Sequence, residues 1–152
     1  MLYINGRVLD DEKILSGEQQ IREIERLDAA VARPAASAFG ADAYPTLREK
    51  GAVLSHSVTR NHPFRDGNKR TGTVALIYML RVNGQCVEWD AQAALDMVLD
   101  VAEGRTDYPD LAAWLPLEPC EPMLDEDEAR DIETIDTILT DHRWLLDELA
   151  DR

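Results

Sequence analysis

Residues 46–84 read TLREKGAVLSHSVTRNHPFRDGNKRTGTVALIYMLRVNG, and this stretch decides the fold. Thr46 and Glu49 have the spacing of a capping box, which predicts that a helix begins there. This helix is expected to end near Asn61, because the residue before Pro63 disfavours the α region. The stretch therefore opens with one helix that stops at a short polar connection.

A second helix is predicted beyond this connection, starting at about residues 67–68. Its segment 74–80 is apolar on every side, which is typical of a helix buried at the centre of a domain. Asn83 and Gly84 then supply a usual helix end. Two helices joined by a polar loop are therefore expected to form the middle of the fold.

Helix patterns also dominate the rest of the chain. One helix is predicted from Ser16, which has capping-box spacing with Gln19, to Pro34. Another is predicted from Asp90 to Gly104. The expected apolar face of the first of these helices consists of Ile21, Ile24, Leu27 and Val31.

Few residues are predicted to be extended. Leu2–Leu9 is interpreted as a small hairpin, because Asn5-Gly6 favours the tight turn that joins two strands. Residues 85–89 form a short extended link, and the Gly- and Pro-marked residues 35–45 form a loop or flap. The predicted fold class is mostly α: a helical bundle with a buried central helix after the loop, a small N-terminal β-hairpin and an extra C-terminal helix.

The chain divides into three predicted segments. Residues 1–117 form the main domain, residues 118–124 form a Pro-rich linker, and residues 125–152 form an acidic C-terminal helix. The apolar stripe of this last helix consists of Ile132, Ile135, Leu139, His142, Leu146 and Leu149.

Composition limits the class of protein. The 152 residues suit one domain with an ordinary apolar fraction. No run approaches the roughly 18 consecutive apolar residues of a membrane span, and the N-terminus lacks the pattern of a signal peptide. We therefore expect a cytoplasmic protein with no membrane partner, in which Cys86 and Cys120 are reduced thiols rather than a disulfide.

Charge is unevenly distributed along the chain. The net charge of −14 argues against a nucleic-acid partner, since such proteins favour a basic face. Residues 118–152 carry thirteen acids against three arginines, whereas residues 60–70 carry four cations against the single acid Asp66. A local basic island in an acidic protein suits a nucleotide phosphate, although a solvated basic loop has the same composition.

The loop residues have the chemistry needed to hold a phosphate beside a proton acceptor. Backbone N–H groups at a helix start point outward along the positive end of the dipole, and Gly67 allows a ligand to approach them. Lys69 and Arg70 neutralise phosphate oxygens. Asp66 is an oxygen ligand suited to Mg²⁺, and His62 accepts a proton near neutral pH.

Each of these residues also has an ordinary structural interpretation. His62 can be purely structural, Asp66 can simply cap the helix, and Lys69 with Arg70 can be solvated. Asn68 is expected to brace the turn through side-chain to backbone hydrogen bonds. Two cations at a helix N-terminus are locally unfavourable, and this favours a bound anion.

Residues 62–70 resemble the signature of the Fic/Doc family, His-x-Phe-x-Asp/Glu-Gly/Ala-Asn-Gly/Lys-Arg. The resemblance extends over roughly residues 10–117 and includes a flap at residues 35–45. It implies a helical fold that transfers part of a nucleoside triphosphate to a protein hydroxyl, with ATP and Mg²⁺ as cofactors. It also implies that His62 is the base and Asp66 the Mg²⁺ ligand. The phosphate-holding set that it implies is Gly67, Asn68, Lys69 and Arg70.

Lys69 separates two types of family member. It stands where nucleotide-transferring members have a glycine, and Thr73 stands where they usually have a second arginine. The lysine crowds the pocket and adds a cation, which favours a different pose of the triphosphate. The chain therefore resembles Doc-type toxins, which are held by an antitoxin and act as kinases on a threonine of elongation factor Tu. AMP transfer to a protein hydroxyl and a catalytically inactive binding module are the alternatives.

The acidic tail has three interpretations. Because only a short hairpin is expected before the Ser16 helix, the tail can pack in place of a missing first helix. It can instead mimic an antitoxin segment and cover the site, its acids competing with phosphate for Lys69 and Arg70. Finally, it can simply complete the core or a dimer.

Overall fold

The computed structural model describes residues 1–10 and 20–152. These ranges contain eight α-helices, one 3₁₀ turn (Arg33–Ala35) and two antiparallel two-stranded sheets. The helices are α1 (Leu2–Leu9), α2 (Ile24–Ala32), α3 (Leu47–Asn61), α4 (Asn68–Val82), α5 (Ala91–Glu103), α6 (Tyr108–Trp114), α7 (Glu128–Asp141) and α8 (Arg143–Ala150). The strands are β1 (Ser37–Ala38), β2 (Ala41–Asp42), β3 (Gln85–Val87) and β4 (Leu117–Pro119). The mostly α fold class is confirmed, and none of the described helices is both long and apolar enough to cross a bilayer.

The two central helices lie where the sequence predicts them. The Thr46 N–H donates to Glu49 Oε2 (2.8 Å) and the Glu49 N–H donates to Thr46 Oγ1 (3.2 Å), so the capping box is present. α3 ends at Asn61, and α4 starts at Asn68. The buried residues in the apolar stretch of α4 are Val74, Ala75, Leu76, Ile77 and Leu80. This confirms α4 as the buried central helix.

α3 and α4 pack closely because each contributes a glycine. A Cβ at Gly72 would lie 2.8 Å from Thr59 Oγ1 and 3.0 Å from the Ser55 carbonyl oxygen. A Cβ at Gly51 would lie 2.8 Å from Leu76 Cδ1. The absence of side chains at these positions lets the two backbones approach, and this approach fixes where the connecting loop emerges.

The N-terminal segment is a helix, so the hairpin predicted for Leu2–Leu9 was wrong. α1 buries Ile4 and Val8 in the main core cluster. A glycine such as Gly6 inside a helix costs about 1 kcal/mol relative to alanine, but burial of the apolar face outweighs this local preference. Tertiary packing therefore overrides the turn tendency of Asn5-Gly6.

The helix predicted from Ser16 to Pro34 was wrong for residues 20–23, which are not helical: Ile21 instead forms an isolated antiparallel β-bridge with Phe64. Ser16 and Gln19 lie outside the described residues, and α2 begins at Ile24. Leu27 is buried as predicted, and Ala30 provides the second buried position of α2. Two members of the predicted face, Ile24 and Val31, are instead exposed.

The predicted flap is a small hairpin anchored on α3. Pro34 lies in the 3₁₀ turn after α2, and β1 then pairs with β2 with Ser37 opposite Asp42. The Lys50 ammonium lies 3.0 Å from Asp42 Oδ2 and donates to the Pro34 carbonyl oxygen, also at 3.0 Å. The first turn of α3 therefore holds both ends of the flap.

The segment interpreted as a linker contains a strand. β4 pairs with β3, and Cys86 lies opposite Glu118. This register brings Cys86 to Cys120, and the two form a disulfide with a Cα–Cα distance of 5.8 Å. The expectation of reduced thiols was therefore wrong for this structure. The cysteines are 34 residues apart, and only the strand register shows that they are neighbours.

The acidic tail is built into the core. The single helix predicted there is two helices, α7 and α8, which meet at His142. α7 packs against α4, and α8 packs against α5. Buried tail residues are Ile135, Ile138, Leu145, Leu146 and Leu149. This confirms that the tail completes the core. It does not replace a first helix, because α1 is itself a helix that packs on α4.

Replacing Leu145 with alanine should lower the free energy of unfolding by about 2–5 kcal/mol, because it opens a cavity where α8 meets α5. The matched change Leu124→Ala, at a position just before the tail that is 86% exposed, should change it by less than about 0.5 kcal/mol. Urea unfolding followed by tryptophan fluorescence measures both. Equal effects of the two changes would contradict an integrated tail.

Gly72→Ala should also destabilise the chain, by about 1–3 kcal/mol, because the new methyl group meets the Ser55 backbone, which has no room to retreat. Adding Thr59→Ala removes the nearer contact and should restore part of the loss. The same urea titration tests both variants. A Gly72→Ala protein as stable as the parent would show that the helices have room to separate.

Candidate active site

All six predicted site residues line one cavity of about 250 Å³ at the N-terminal end of α4. They are His62, Asp66, Gly67, Asn68, Lys69 and Arg70. The end of the tail adds three more lining residues: Leu149, Ala150 and Arg152. The fold thus brings the motif residues together and adds a contribution from a distant part of the chain.

The loop before α4 is held by the side chain of Asn68. Asn68 Oδ1 accepts the Phe64 N–H, and Asn68 Nδ2 donates to the Phe64 carbonyl oxygen, both at 2.9 Å. Phe64 is buried in the main core cluster. The Arg22 N–H donates to the Pro63 carbonyl oxygen at 2.7 Å. The loop therefore has a fixed shape, and the Asn68 amide braces its backbone as the sequence predicts.

The turn into α4 requires a glycine. Gly67 has a φ of +74°, in the left-handed region that glycine adopts without strain. It stands immediately before Asn68, the first residue of α4. The first N–H groups of a helix have no partner within the helix, and with the helix dipole they attract an anion. The cavity therefore lies where a phosphate group would be stabilised.

Asp66 presents an exposed carboxylate to the cavity. Its side chain is 73% exposed, and Oδ2 lies 3.9 Å from the Arg70 guanidinium. Its Oδ1 accepts the Gly67 N–H at 2.5 Å. Among the described residues, no group of three or more His, Cys, Asp or Glu side chains is placed to hold a metal ion. A lone carboxylate fits Mg²⁺, which takes one or two carboxylates together with substrate phosphates and water. Asp66 is therefore the residue that would hold it.

The two cations in the first turn of α4, Lys69 and Arg70, have different surroundings. Arg70 Nη1 donates to the Val8 carbonyl oxygen in the last turn of α1 at 2.7 Å, and the Arg70 side chain is only 16% exposed. Within residues 1–10 and 20–152, the Lys69 ammonium makes no hydrogen bond or ion pair. Both residues lie in the first turn of α4, where a positive charge is unfavourable unless an anion is bound. Of these two cations, Lys69 is thus the more available to a ligand.

His62 follows the last residue of α3 and has a φ of +47°. Burial lowers the pKa of its imidazole, and the neighbouring positive charges, of which Lys69 contributes most, lower this pKa further. At pH 7 the ring is therefore neutral and able to accept a proton. The other two histidines do not line the cavity. His56 Nε2 lies 3.1 Å from Asp107 Oδ1, and His142 Nδ1 lies 3.4 Å from Trp89 Nε1.

Comparison with known proteins shows the family of this chain. The model of the Fic/DOC family matches residues 1–80, which is more than half of the chain. The chain belongs to the Fic/Doc family. The toxin Doc of Mycolicibacterium smegmatis (strain ATCC 700084 / mc(2)155) is 41% identical over 116 residues, which cover 70% of this chain and 89% of that protein. No solved structure gives a significant match.

The match to the Fic/Doc family begins at residue 1 and so includes α1. The resemblance based on sequence motifs covers only the residues from about 10 onwards, because residues 2–9 are predicted to form a hairpin. The family domain thus contains the helix whose Val8 carbonyl oxygen holds Arg70.

The tail meets the Fic/Doc motif through residues that the sequence did not indicate. In one of the three interpretations its acids compete with phosphate for Lys69 and Arg70, but in the described part of the chain no tail acid pairs with either cation. The tail instead adds a further cation, Arg152, which pairs with Glu148 at 3.1 Å. The position of Arg152 depends on how α8 packs, and no local signal in the sequence reports this.

The lowered pKa of His62 gives a test of the site that needs no substrate. By NMR titration, the imidazole of His62 should titrate below about pH 6.5, the value of an unperturbed histidine. Lys69→Gln should raise this pKa only in part, because burial is the larger cause and remains. Activity that depends on neutral His62 should be constant at higher pH and fall as the pH drops through the lowered pKa.

Arg65→Gln is the matched control, since Arg65 also lines the cavity but does not contribute to the pKa shift of His62. It should leave the titration of His62 unchanged. If both changes moved the pKa equally, the local role of Lys69 would be refuted.

Proposed function

We propose that this chain is a Doc-type toxin that transfers the γ-phosphate of ATP to a protein hydroxyl and is held in check by a partner antitoxin. The observation that carries this proposal is a cavity at a helix N-terminus, where His62, whose pKa is lowered, lies together with Lys69, whose ammonium has no partner among the described residues. The toxin class is supported by the similarity to the toxin Doc of Mycolicibacterium smegmatis.

The proposed step is a direct phosphoryl transfer. Neutral His62 accepts the proton of the target hydroxyl as its oxygen forms a bond to the γ-phosphorus. The bond from that phosphorus to the β,γ-bridging oxygen breaks, and ADP leaves with the bonding electron pair. Lys69 and the first N–H groups of α4 stabilise the charge on the phosphate oxygens. Asp66 would hold a magnesium ion, which neutralises phosphate charge when bound.

Lys69 favours phosphoryl transfer over transfer of AMP. Its ammonium is a point charge on a long stem that occupies space which a glycine would leave open. Arg70 is fixed against α1 and is only 16% exposed, so its position allows little adjustment. The triphosphate must therefore fit around the lysine, and we infer that its γ-phosphate rather than its α-phosphate lies beside His62.

The proposed target is a threonine of elongation factor Tu, and the proposed effect is inhibition of translation in the cytoplasm.

Thiols are normally reduced in the cytoplasm. The tail is nevertheless attached by more than the Cys86–Cys120 disulfide, because backbone hydrogen bonds also hold it. Cys120 N–H also donates to the Gly84 carbonyl oxygen (3.0 Å), and Met123 N–H donates to that of Val82 (3.0 Å).

Incubation with purified elongation factor Tu and ATP labelled at either the γ- or the α-phosphate tests the proposal. We expect label only from the γ-position and a phosphate adduct by mass spectrometry. His62→Ala should reduce the transfer rate by about 10²–10⁴-fold, the usual contribution of a general base. The matched change His56→Ala removes an imidazole outside the cavity and should leave transfer largely intact.

The same assay distinguishes the alternatives. Label from the α-position with a nucleotide adduct would replace the proposal with AMP transfer. Lys69→Gly should shift the reaction towards that product if the lysine sets the pose. Equal inhibition of translation by wild type and His62→Ala would replace catalysis with a binding role.

A further inference from the structure

α1 packs against the motif turn, residues 66–71, from the interior of the protein. The side chain of Asn5 is 1% exposed, and its Nδ2 donates to the Asp66 carbonyl oxygen and to Thr71 Oγ1, both at 3.0 Å. Asp66 precedes the start of α4, and Thr71 lies in its first turn. One buried amide thus ties together the two sides of the turn that carries the proposed phosphate site.

α1 also contacts the turn through backbone and charge. A Cβ on Gly67 would lie 3.1 Å from Leu9 Cδ2, 3.2 Å from Asn5 Nδ2 and 3.3 Å from Val8 Cγ2. Arg70 donates to the Val8 carbonyl oxygen at 2.7 Å. The helix therefore touches three successive parts of the motif: the carbonyl of residue 66, the backbone of residue 67 and the guanidinium of residue 70.

The bond from Asn5 to the Asp66 carbonyl sets the direction of the next N–H. In a planar trans peptide, the C=O and N–H groups point to opposite sides. When the carbonyl oxygen of residue 66 points towards α1, the Gly67 N–H must point away from α1. That N–H donates to Asp66 Oδ1, on the exposed carboxylate that lines the cavity. Asn5 thereby also fixes where this carboxylate rests.

Packing alone does not account for an asparagine at this position. Ile4 and Val8 already supply the apolar face of α1. A buried amide loses hydration, and Asn5 Oδ1 has no hydrogen-bond partner within the described residues. An apolar side chain would avoid this loss of stability. The asparagine contributes two hydrogen bonds from Nδ2, and both are donated to residues of the motif turn.

We propose that Asn5 is a positioning residue for this site. It holds the peptide between residues 66 and 67 so that the Asp66 carboxylate and the first N–H groups of α4 meet the triphosphate and its magnesium ion. This inference rests on the proposed function for the identity of the ligand, but not for the geometry of the turn.

The experiment compares Asn5→Leu with Asn83→Leu. Asn83 makes the same type of bond at the other end of α4, where its Nδ2 donates to the Met79 carbonyl oxygen at 2.8 Å. Amide hydrogen exchange at Gly67, Asn68 and Lys69 should speed up in Asn5→Leu and stay unchanged in Asn83→Leu. Because this measurement needs no nucleotide, unchanged exchange in folded Asn5→Leu overturns the inference whatever the activity of the chain.

Binding of Mg·ATP by calorimetry gives the second measurement. Asn5→Leu should weaken binding about tenfold, because the nucleotide must then order a turn that Asn5 no longer holds, whereas Asn83→Leu should bind as the wild type does. If wild type binds and Asn5→Leu binds equally well, Asn5 has no positioning role and the proposed function stands. If wild type does not bind Mg·ATP at all, the proposed function fails and the assignment of the ligand fails with it.

Thr71→Val provides a second variant in case Asn5→Leu does not fold. It keeps the shape of the side chain and removes one of the two acceptors of Asn5 while leaving the bond to the Asp66 carbonyl oxygen. We expect a smaller change of the same kind, in both amide exchange and Mg·ATP affinity. Wild-type values in both measurements would overturn the part of the inference that assigns a role to the bond between Asn5 and Thr71.

Discussion

The structure depends on the close approach of α3 and α4. A Cβ at Gly72 would meet the Ser55 backbone, and a Cβ at Gly51 would displace the end of the Leu76 side chain. This contact holds the end of one helix at a set distance from the start of the next. The loop from His62 to Gly67 has to span that distance, and its geometry follows from it. The remaining helices pack around this pair.

The candidate site is made largely from backbone and from charges held at a helix start. The Asn68 side chain donates a hydrogen bond to the loop backbone at Phe64, and the Asn5 side chain of α1 donates one to the loop backbone at Asp66. Because the dipole of α4 is already positive at this end, Lys69 and Arg70 make an anion the natural ligand. The charge of Lys69 also lowers the pKa of His62, in addition to the larger effect of burial. Lys69 therefore influences both the potential that an anion would meet at this helix start and the protonation of the imidazole.

The tail extends the core rather than forming a separate unit. Its two helices bury their apolar residues against α4 and α5, and the last turn of α8 brings Leu149 and Arg152 to the cavity. The β3–β4 pairing and the Cys86–Cys120 disulfide fix where the tail leaves the main domain. A change in the packing of the tail would therefore alter the lining of the motif cavity.

The sequence by itself determined the features that depend on short-range interactions. The Thr46–Glu49 capping box, the bounds of α3 and α4 and the grouping of the motif residues all follow from hydrogen bonds and dihedral preferences within a few residues. Only the tertiary structure decided that residues 2–9 form a helix, that the tail breaks at His142 and that Cys86 meets Cys120. It alone placed Asn5 and Arg152 at the site. These outcomes depend on contacts between segments far apart in the chain, whose energies outweigh local preferences and leave no periodic signal in either segment.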